Sequence, residues 1–236
     1  MSETPSAKLH VAMIMDGNRR FAKRLMKEPW NGHEYGAKKL ENVLKWCKEA
    51  GVRALTVFAF SLQNFNRPKR EFDYLMKLFK KFFGEMKERE SEVNKEDIRI
   101  KFHGRRHMFP EDIQQIISET EEMTKDNSAY DLNICFGYGG REEIVDASKR
   151  LAEDVKAGKV YPEDVSEEML DNYMYMSDKP DIIIRTGGDR RTSNFLSWQS
   201  AYSEWFFIDK MWPEFEKEDF KAVLDDFKSR DRRFGK

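Results

Sequence analysis

Cysteine is scarce: Cys47 and Cys135 are the only two in 236 residues, and they lie far apart. Neither a disulfide framework nor a thiolate metal site can be spaced from them, and reduced thiols in a cytoplasmic protein are expected. No apolar run approaches the roughly 20 residues of a bilayer-spanning helix. Met1 to Lys8 is short and polar, without the apolar centre of a secretory signal. An integral membrane protein is therefore not expected, although work at a membrane surface stays open. The net charge of −1 gives no global pull toward nucleic acid, so a bound anion must be met by local positive charge. No stretch rich in Pro, Gly or Ser cuts the chain, and there is no repeat. One domain over 1–236 is expected, with 1–9 as a flexible N-terminus and 230–236 as a basic tail.

Familiar phosphate motifs are also missing. Gly139-Gly140-Arg141 is no Walker loop, and no Gly-x-Gly-x-x-Gly opens a helix. Asp16 has Asn18, not a second acid, two positions on. Asp225-Asp226 lacks a third acid and falls on the last predicted helix.

What is present is a core-forming chain, 39% hydrophobic and 36% charged. Val11 to Met15, Val52 to Phe60, Asp97 to His103, Tyr130 to Phe136, Asp181 to Ile184 and Tyr202 to Ile208 read as strands. Helical spacing marks Tyr35 to Ala50, Glu71 to Val93, Pro110 to Asp126, Arg141 to Val155, Glu168 to Tyr173 and Glu216 to Lys228. Phe21 to Trp30 reads as helix or loop. Strand, polar loop and helix recur, which predicts an α/β fold with a central, mainly parallel six-stranded sheet flanked by helices.

Three predicted strand ends carry the same residue kinds. Asp16-Gly17-Asn18-Arg19-Arg20 follows the first, Ser61 with Asn64 and Arg67 the second, and Arg185 to Ser193, with Arg191, the fifth. In a parallel sheet such loops meet on one edge, where guanidiniums, hydroxyls and glycine-freed N–H groups would make a polyphosphate pocket. For Asp16 the other reading is a turn that caps the next helix. His33, after a glycine in a predicted loop, either faces a phosphate or is an ordinary loop histidine. His10, His103 and His107 read as structural. Glu204 is either a surface group or a metal ligand, and composition favours the surface. The stripe Phe72, Leu75, Met76, Phe79, Phe82, Phe83 and Met86 is either core or the wall of a hydrocarbon tunnel.

The ordered motifs HVAMIMDGNRRFA, GHEYGAKKL, ALTVFAFSLQNFNRP, LNICFGYGGREEIVDA, DIIIRTGGDRRTSNFLSWQSAYSEWFF and WPEF run from His10 to near Gly235. With them the chain resembles the cis-prenyltransferases, the undecaprenyl and dehydrodolichyl diphosphate synthases, and Arg19-Arg20-Phe21 looks like archaeal and eukaryotic members. The resemblance implies a homodimer of the undecaprenyl diphosphate synthase-like fold with a hydrophobic tunnel. It implies an enzyme that joins isopentenyl diphosphate to an allylic primer (dimethylallyl, geranyl, farnesyl or geranylgeranyl diphosphate) to give a polycis-prenyl diphosphate. Asp16 would hold Mg2+ and, with Asn64, serve catalysis; Glu204 would be the second magnesium contact. Gly17, Asn18, Arg19, Arg20 and His33 match residues around the allylic diphosphate. Ser61, Asn64, Phe65 and Arg67 match a loop that closes over the site, and Arg185, Arg191 and Ser193 the isopentenyl diphosphate pocket. Arg233 and Gly235 match a C-terminal motif that reaches the partner's site. A peripheral membrane contact for product release is expected, and no nucleic acid. Two departures are plain: Lys27-Glu28-Pro29-Trp30 replaces an arginine, and Gln63 a glutamate. They motivate one alternative, irregular coupling of prenyl units; another, of a different class, is a non-catalytic subunit of a heteromeric synthase, against which the retained Asp16, Arg185, Arg191 and Glu204 argue.

Overall fold

A strand without polar alternation must be covered on both faces, and that requirement shapes this molecule. In the computed structural model, which describes residues 9–88 and 90–230, strand β1 (His10–Ile14) is buried throughout. Helix α1 (Asn18–Arg24) follows, then a 3-10 turn at Pro29–Asn31 and helix α2 (Gly32–Glu49). Strand β2 (Ala54–Ser61) ends in a second 3-10 turn, Leu62–Asn66, before α3 (Lys69–Glu88) and the short α4 (Glu90–Lys95). Next come β3 (Ile98–His103), α5 (Glu111–Thr124), β4 (Tyr130–Tyr138), α6 (Gly140–Lys156) and α7 (Glu167–Tyr173). Strands β5 (Ile182–Arg185) and β6 (Glu204–Phe207) and helix α8 (Lys217–Ser229) complete the fold.

The sheet order is β3-β4-β2-β1-β5-β6, and every pairing is parallel. Period-two alternation splits β1 between two cores. Val11 and Met13 join Leu55, Val57, Ile182 and Ile184 on one face; Ala12 and Ile14 join Ile183, Phe195 and Leu196 on the other. From β1 the sheet grows in both directions, to β2 on one side and β5 on the other, so its strand ends form a switch point, where α/β sheets bind ligands.

The histidines read as structural have buried partners where they are buried at all. His10 Nε2 lies 2.7 Å from Thr56 Oγ1, and His103 is bonded to Asn133 and to the Tyr175 carbonyl. Both cysteines are free and buried, and burial pushes the Cys47 thiol up to about 12.

Local corrections follow from packing. The helix predicted over 71–93 begins earlier, at Lys69, and its described parts are Lys69–Glu88 and Glu90–Lys95. His33 is in the first turn of α2 rather than a loop, since that helix starts at Gly32 to pack on α1. A β-carbon on Gly32 would lie 1.9 Å from the Asn18 carbonyl oxygen, so only glycine allows this approach. The tail positions Arg233 and Gly235, and residues 1–8, lie outside the described residues.

The helix contact sets a test. Gly32→Ala should lower the unfolding free energy by about 3 kcal/mol through overpacking. Gly84→Ala, in α3 with no atom within 4 Å of the new carbon, should raise it by about 0.8 kcal/mol from helix propensity alone. Urea unfolding of the two variants reads the difference.

Candidate active site

The strand ends place the predicted residues in two adjoining clusters. In the first, Ile14 of β1 is in register with Arg185, the last residue of β5, and this sets Asp16 beside it. Arg185 Nη2 donates to Asp16 Oδ2 at 2.9 Å, and Nη1 donates to Ser193 Oγ at 2.7 Å and to the Arg191 carbonyl. Arg185, read from sequence as a loop residue, is only 3% exposed. Arg20 Nη2 lies 3.4 Å from Asp16 Oδ1, which also takes the Gly17 N–H at 2.6 Å. Gly17 has φ 103°, and a β-carbon there would meet Met211 Cα at 2.8 Å. Burial alone would raise the pKa of Asp16, but the Arg185 hydrogen bond, the Gly17 N–H and the charge of Arg20 outweigh it and hold the carboxyl below its ordinary value.

The second cluster is built from α1, α2, the turn after β2 and the first turn of α3. Arg67 Nη1 donates to Glu71 Oε1 at 2.7 Å and lies 3.3 Å from His33 Nε2. Arg19 Nε is 3.6 Å from the same Glu71 oxygen. Burial and the neighbouring Arg67 and Arg19 pull His33 down to about 3, so it is a neutral acceptor toward Arg67 at physiological pH. Asn18 Nδ2 donates to the Met15 carbonyl, while its buried Oδ1 has no partner. Ser61 and Asn64 cap each other's backbone, which fixes the turn between β2 and α3.

An apolar cavity of about 210 Å3 opens beside these groups, with Asn18, His33, Asn64 and Arg67 on its lip. Its walls come from α2, α3, β2 and β4, and include Leu75, Phe79, Phe82 and Phe83. Phe79 stacks on Phe136 at 4.5 Å and Phe83 packs on Phe102 at 5.2 Å. The aromatic stripe of α3 is thus both core and cavity wall.

Other predicted residues lie elsewhere. Phe65 packs on Phe60 and Phe109 in an aromatic cluster. Glu204 begins β6 in register with Ile182, three residues before Arg185, so within one chain it is roughly 10 Å along the strands from the Arg185 end. Its carboxylate accepts from Arg230 Nη1 at 2.7 Å. Three residues were given no role from sequence. Glu71 is almost fully buried between two arginines, and its i, i+4 spacing from Arg67 was the available signal. Asp189 accepts from Arg191 at 2.8 Å and lies 3.7 Å from both Arg20 and Arg185. Trp212 donates its backbone N–H to the Asp16 carbonyl and its indole N–H to the Gly36 carbonyl, each at 2.9 Å; only long-range packing reveals it.

Five guanidiniums against three carboxylates beside an apolar cavity suit a ligand with an anionic head and a hydrocarbon tail. That is the class of site that prenyl diphosphate enzymes need. A prenyltransferase family model, whose description is that of an undecaprenyl diphosphate synthase, matches residues 14–235. The chain is 49% identical over 229 residues, 96% of its length and 86% of the other's, to the tritrans,polycis-undecaprenyl-diphosphate synthase (geranylgeranyl-diphosphate specific) of Thermococcus kodakarensis. Lavandulyl diphosphate synthase from Lavandula x intermedia, solved with dimethylallyl diphosphate, superposes with TM-score 0.90 at 32% identity, covering 96% of this chain and 98% of that one. A probable undecaprenyl diphosphate synthase from Campylobacter jejuni gives 0.81 at 30%, covering 98% and 100%. The chain belongs to the undecaprenyl diphosphate synthase family, whose members are transferases of prenyl groups.

The depressed His33 sets a pH test. The unfolded chain protonates near the ordinary 6.5 and the folded one only near 3. Above pH 6.5 His33 is neutral in both states and costs nothing; as pH falls toward 3 the unfolded chain takes up a proton that the folded one refuses, and stability drops. In that window wild-type stability should fall by about 1.4 kcal/mol per pH unit more than that of His33→Gln, read from urea unfolding at stepped pH.

Proposed function

We propose that this chain condenses isopentenyl diphosphate with an allylic diphosphate to give a polycis-prenyl diphosphate. The observation that carries the reading is the position of Asn18, His33, Asn64 and Arg67 on the cavity lip. That cluster suits the substrate whose tail must enter the cavity, the allylic diphosphate. Arg185, Arg191 and Ser193, in the adjoining cluster, suit the head of isopentenyl diphosphate, whose hydrocarbon is short. Among the four primers, the name of the Thermococcus relative favours geranylgeranyl diphosphate.

In the reaction, the allylic C–O bond breaks with its electron pair on the departing diphosphate. The isopentenyl double bond attacks the allylic carbon, and one proton is lost. Arg20 and Arg67 bind the growing negative charge on the departing group through fixed N–H donors, and neutral His33 adds a hydrogen bond without competing for that charge. Leu75, Phe79 and Phe82 keep water from the cationic carbon and hold the tail.

Magnesium fits here through Asp16. Among the described residues no three His, Cys, Asp or Glu side chains gather to hold a cation. An ionised carboxylate at a diphosphate pocket nevertheless suits Mg2+, which is commonly bound by one or two carboxylates, substrate phosphates and water. Bound there, it would neutralise charge on the departing diphosphate. A metal role for Glu204 would require that residue to come from a second copy, in keeping with the proposed homodimer. Among the described residues no helix is long and apolar enough to cross a membrane, and the proposed membrane contact is peripheral.

Two measurements test this reading. Asp16→Asn keeps an acceptor for Arg185 but loses the charge; it should retain the circular dichroism of the folded chain while turnover with labelled isopentenyl diphosphate falls by about a thousandfold or more. Phe82→Ala should shift products to longer chains with each allylic primer; an unchanged length distribution removes that ring from the wall that stops growth.

A further inference from the structure

Met26 is 98% exposed and sits at φ 55°, a backbone region that strains any residue with a β-carbon and that glycine occupies freely. Leu196 adopts the same region, at φ 48°, but is fully buried, so packing offsets its strain. At Met26 an exposed thioether chain gains no such packing. Leu25, before it, is 42% exposed. Together they form the tip of the turn that ends α1, where the Lys27 N–H closes onto the Ala22 carbonyl at 3.0 Å.

Charge in the segment that carries this tip is mainly positive: Arg19, Arg20, Lys23, Arg24 and Lys27 stand against the single acid Glu28, in a chain of net charge −1. Arg24 is engaged by Glu214 and Lys27 by the Tyr35 hydroxyl, while Lys23 is exposed. Trp30 follows, with the Arg70 guanidinium 4.9 Å from its ring centre and Lys77 and Asp73 lining the same shallow hollow. Two apolar side chains are too few for the core of a stable protein interface. An apolar tip flanked by cations and a tryptophan does suit a lipid interface, where the tip enters the acyl boundary and the cations stay among anionic headgroups.

We infer that the Leu25–Met26 turn is where this protein docks on an anionic lipid surface. The inference deepens the proposed function, on which it rests for its purpose: a product with a long hydrocarbon tail would leave close to lipid. Helix α1 separates the tip from Gly17 by about 10 Å, so docking brings the pocket lip near the headgroups.

The test is co-sedimentation of the full chain with vesicles of equal parts phosphatidylcholine and phosphatidylglycerol, against phosphatidylcholine alone. Wild type should bind the mixed vesicles, more weakly as salt is added. Met26→Gly should bind them roughly tenfold more weakly yet melt no lower than wild type, since the strain is gone. Failure of wild type to bind, or equal binding by Met26→Gly, overturns the inference. So does a lower melting temperature of the variant, which would make the tip part of the packing. A different mass in solution for the variant overturns it in favour of a protein contact. Prenyl transfer by wild type in detergent is measured in parallel; its absence overturns the proposed function and leaves the vesicle result to stand separately.

Discussion

The Asp16–Arg185 pair is the constraint on which the site depends. Arg185 closes a central strand and is almost wholly removed from water. A guanidinium so placed costs several kcal/mol to desolvate unless its hydrogen bonds are met. Asp16, Ser193 and the Arg191 carbonyl meet them on the two terminal nitrogens, while the buried Nε has no partner. The same contacts tie the ends of β1 and β5 to the loop after β5. The sheet therefore cannot form in its native register without assembling this end of the pocket.

The two clusters divide the work by their surroundings. Around Arg185 the partners are polar and the anion sites face a loop. Around Arg67 the neighbours are a neutral histidine, a buried glutamate and the lip of an apolar cavity. A diphosphate attached to a long tail gains hydrocarbon burial only in the second place. The difference between the two subsites is thus one of dielectric and shape more than of charge count, and the amphipathic face of α3 supplies it.

Much of the fold was legible because local pattern and burial agree. The uninterrupted apolar runs of β1 and β5 announced strands covered on both sides, and the α3 stripe announced a packed helix face. The convergence of three loops followed from parallel strands alone. What stayed hidden depends on register and distant packing. Nothing local says that Arg185 lies inside the last turn of a strand rather than beyond it. Nothing local puts Glu204 at the start of β6, away from Asp16. His33 looked like a loop residue because Gly32 usually ends or interrupts helices; here the glycine begins one, because α1 presses against it.

The pocket is also held from behind. Residues 208–212 run beneath the loops that carry the charges: the Gly187 N–H donates to the Lys210 carbonyl at 2.7 Å and the Gly188 N–H to the Ile208 carbonyl at 3.0 Å. Trp212, fully buried, joins the Asp16 carbonyl to the Gly36 carbonyl of α2. One residue, through its main-chain N–H and its indole N–H, thereby ties the Asp16 backbone of the first cluster to the helix that bears the histidine of the second. Two diphosphates must be held so that the allylic carbon and the isopentenyl double bond meet, and misplacement by about 1 Å can cost a hundredfold in rate. A buried tryptophan held by its main-chain N–H on one side and its indole N–H on the other sets that spacing more firmly than the more exposed guanidiniums of Arg20 and Arg191 could.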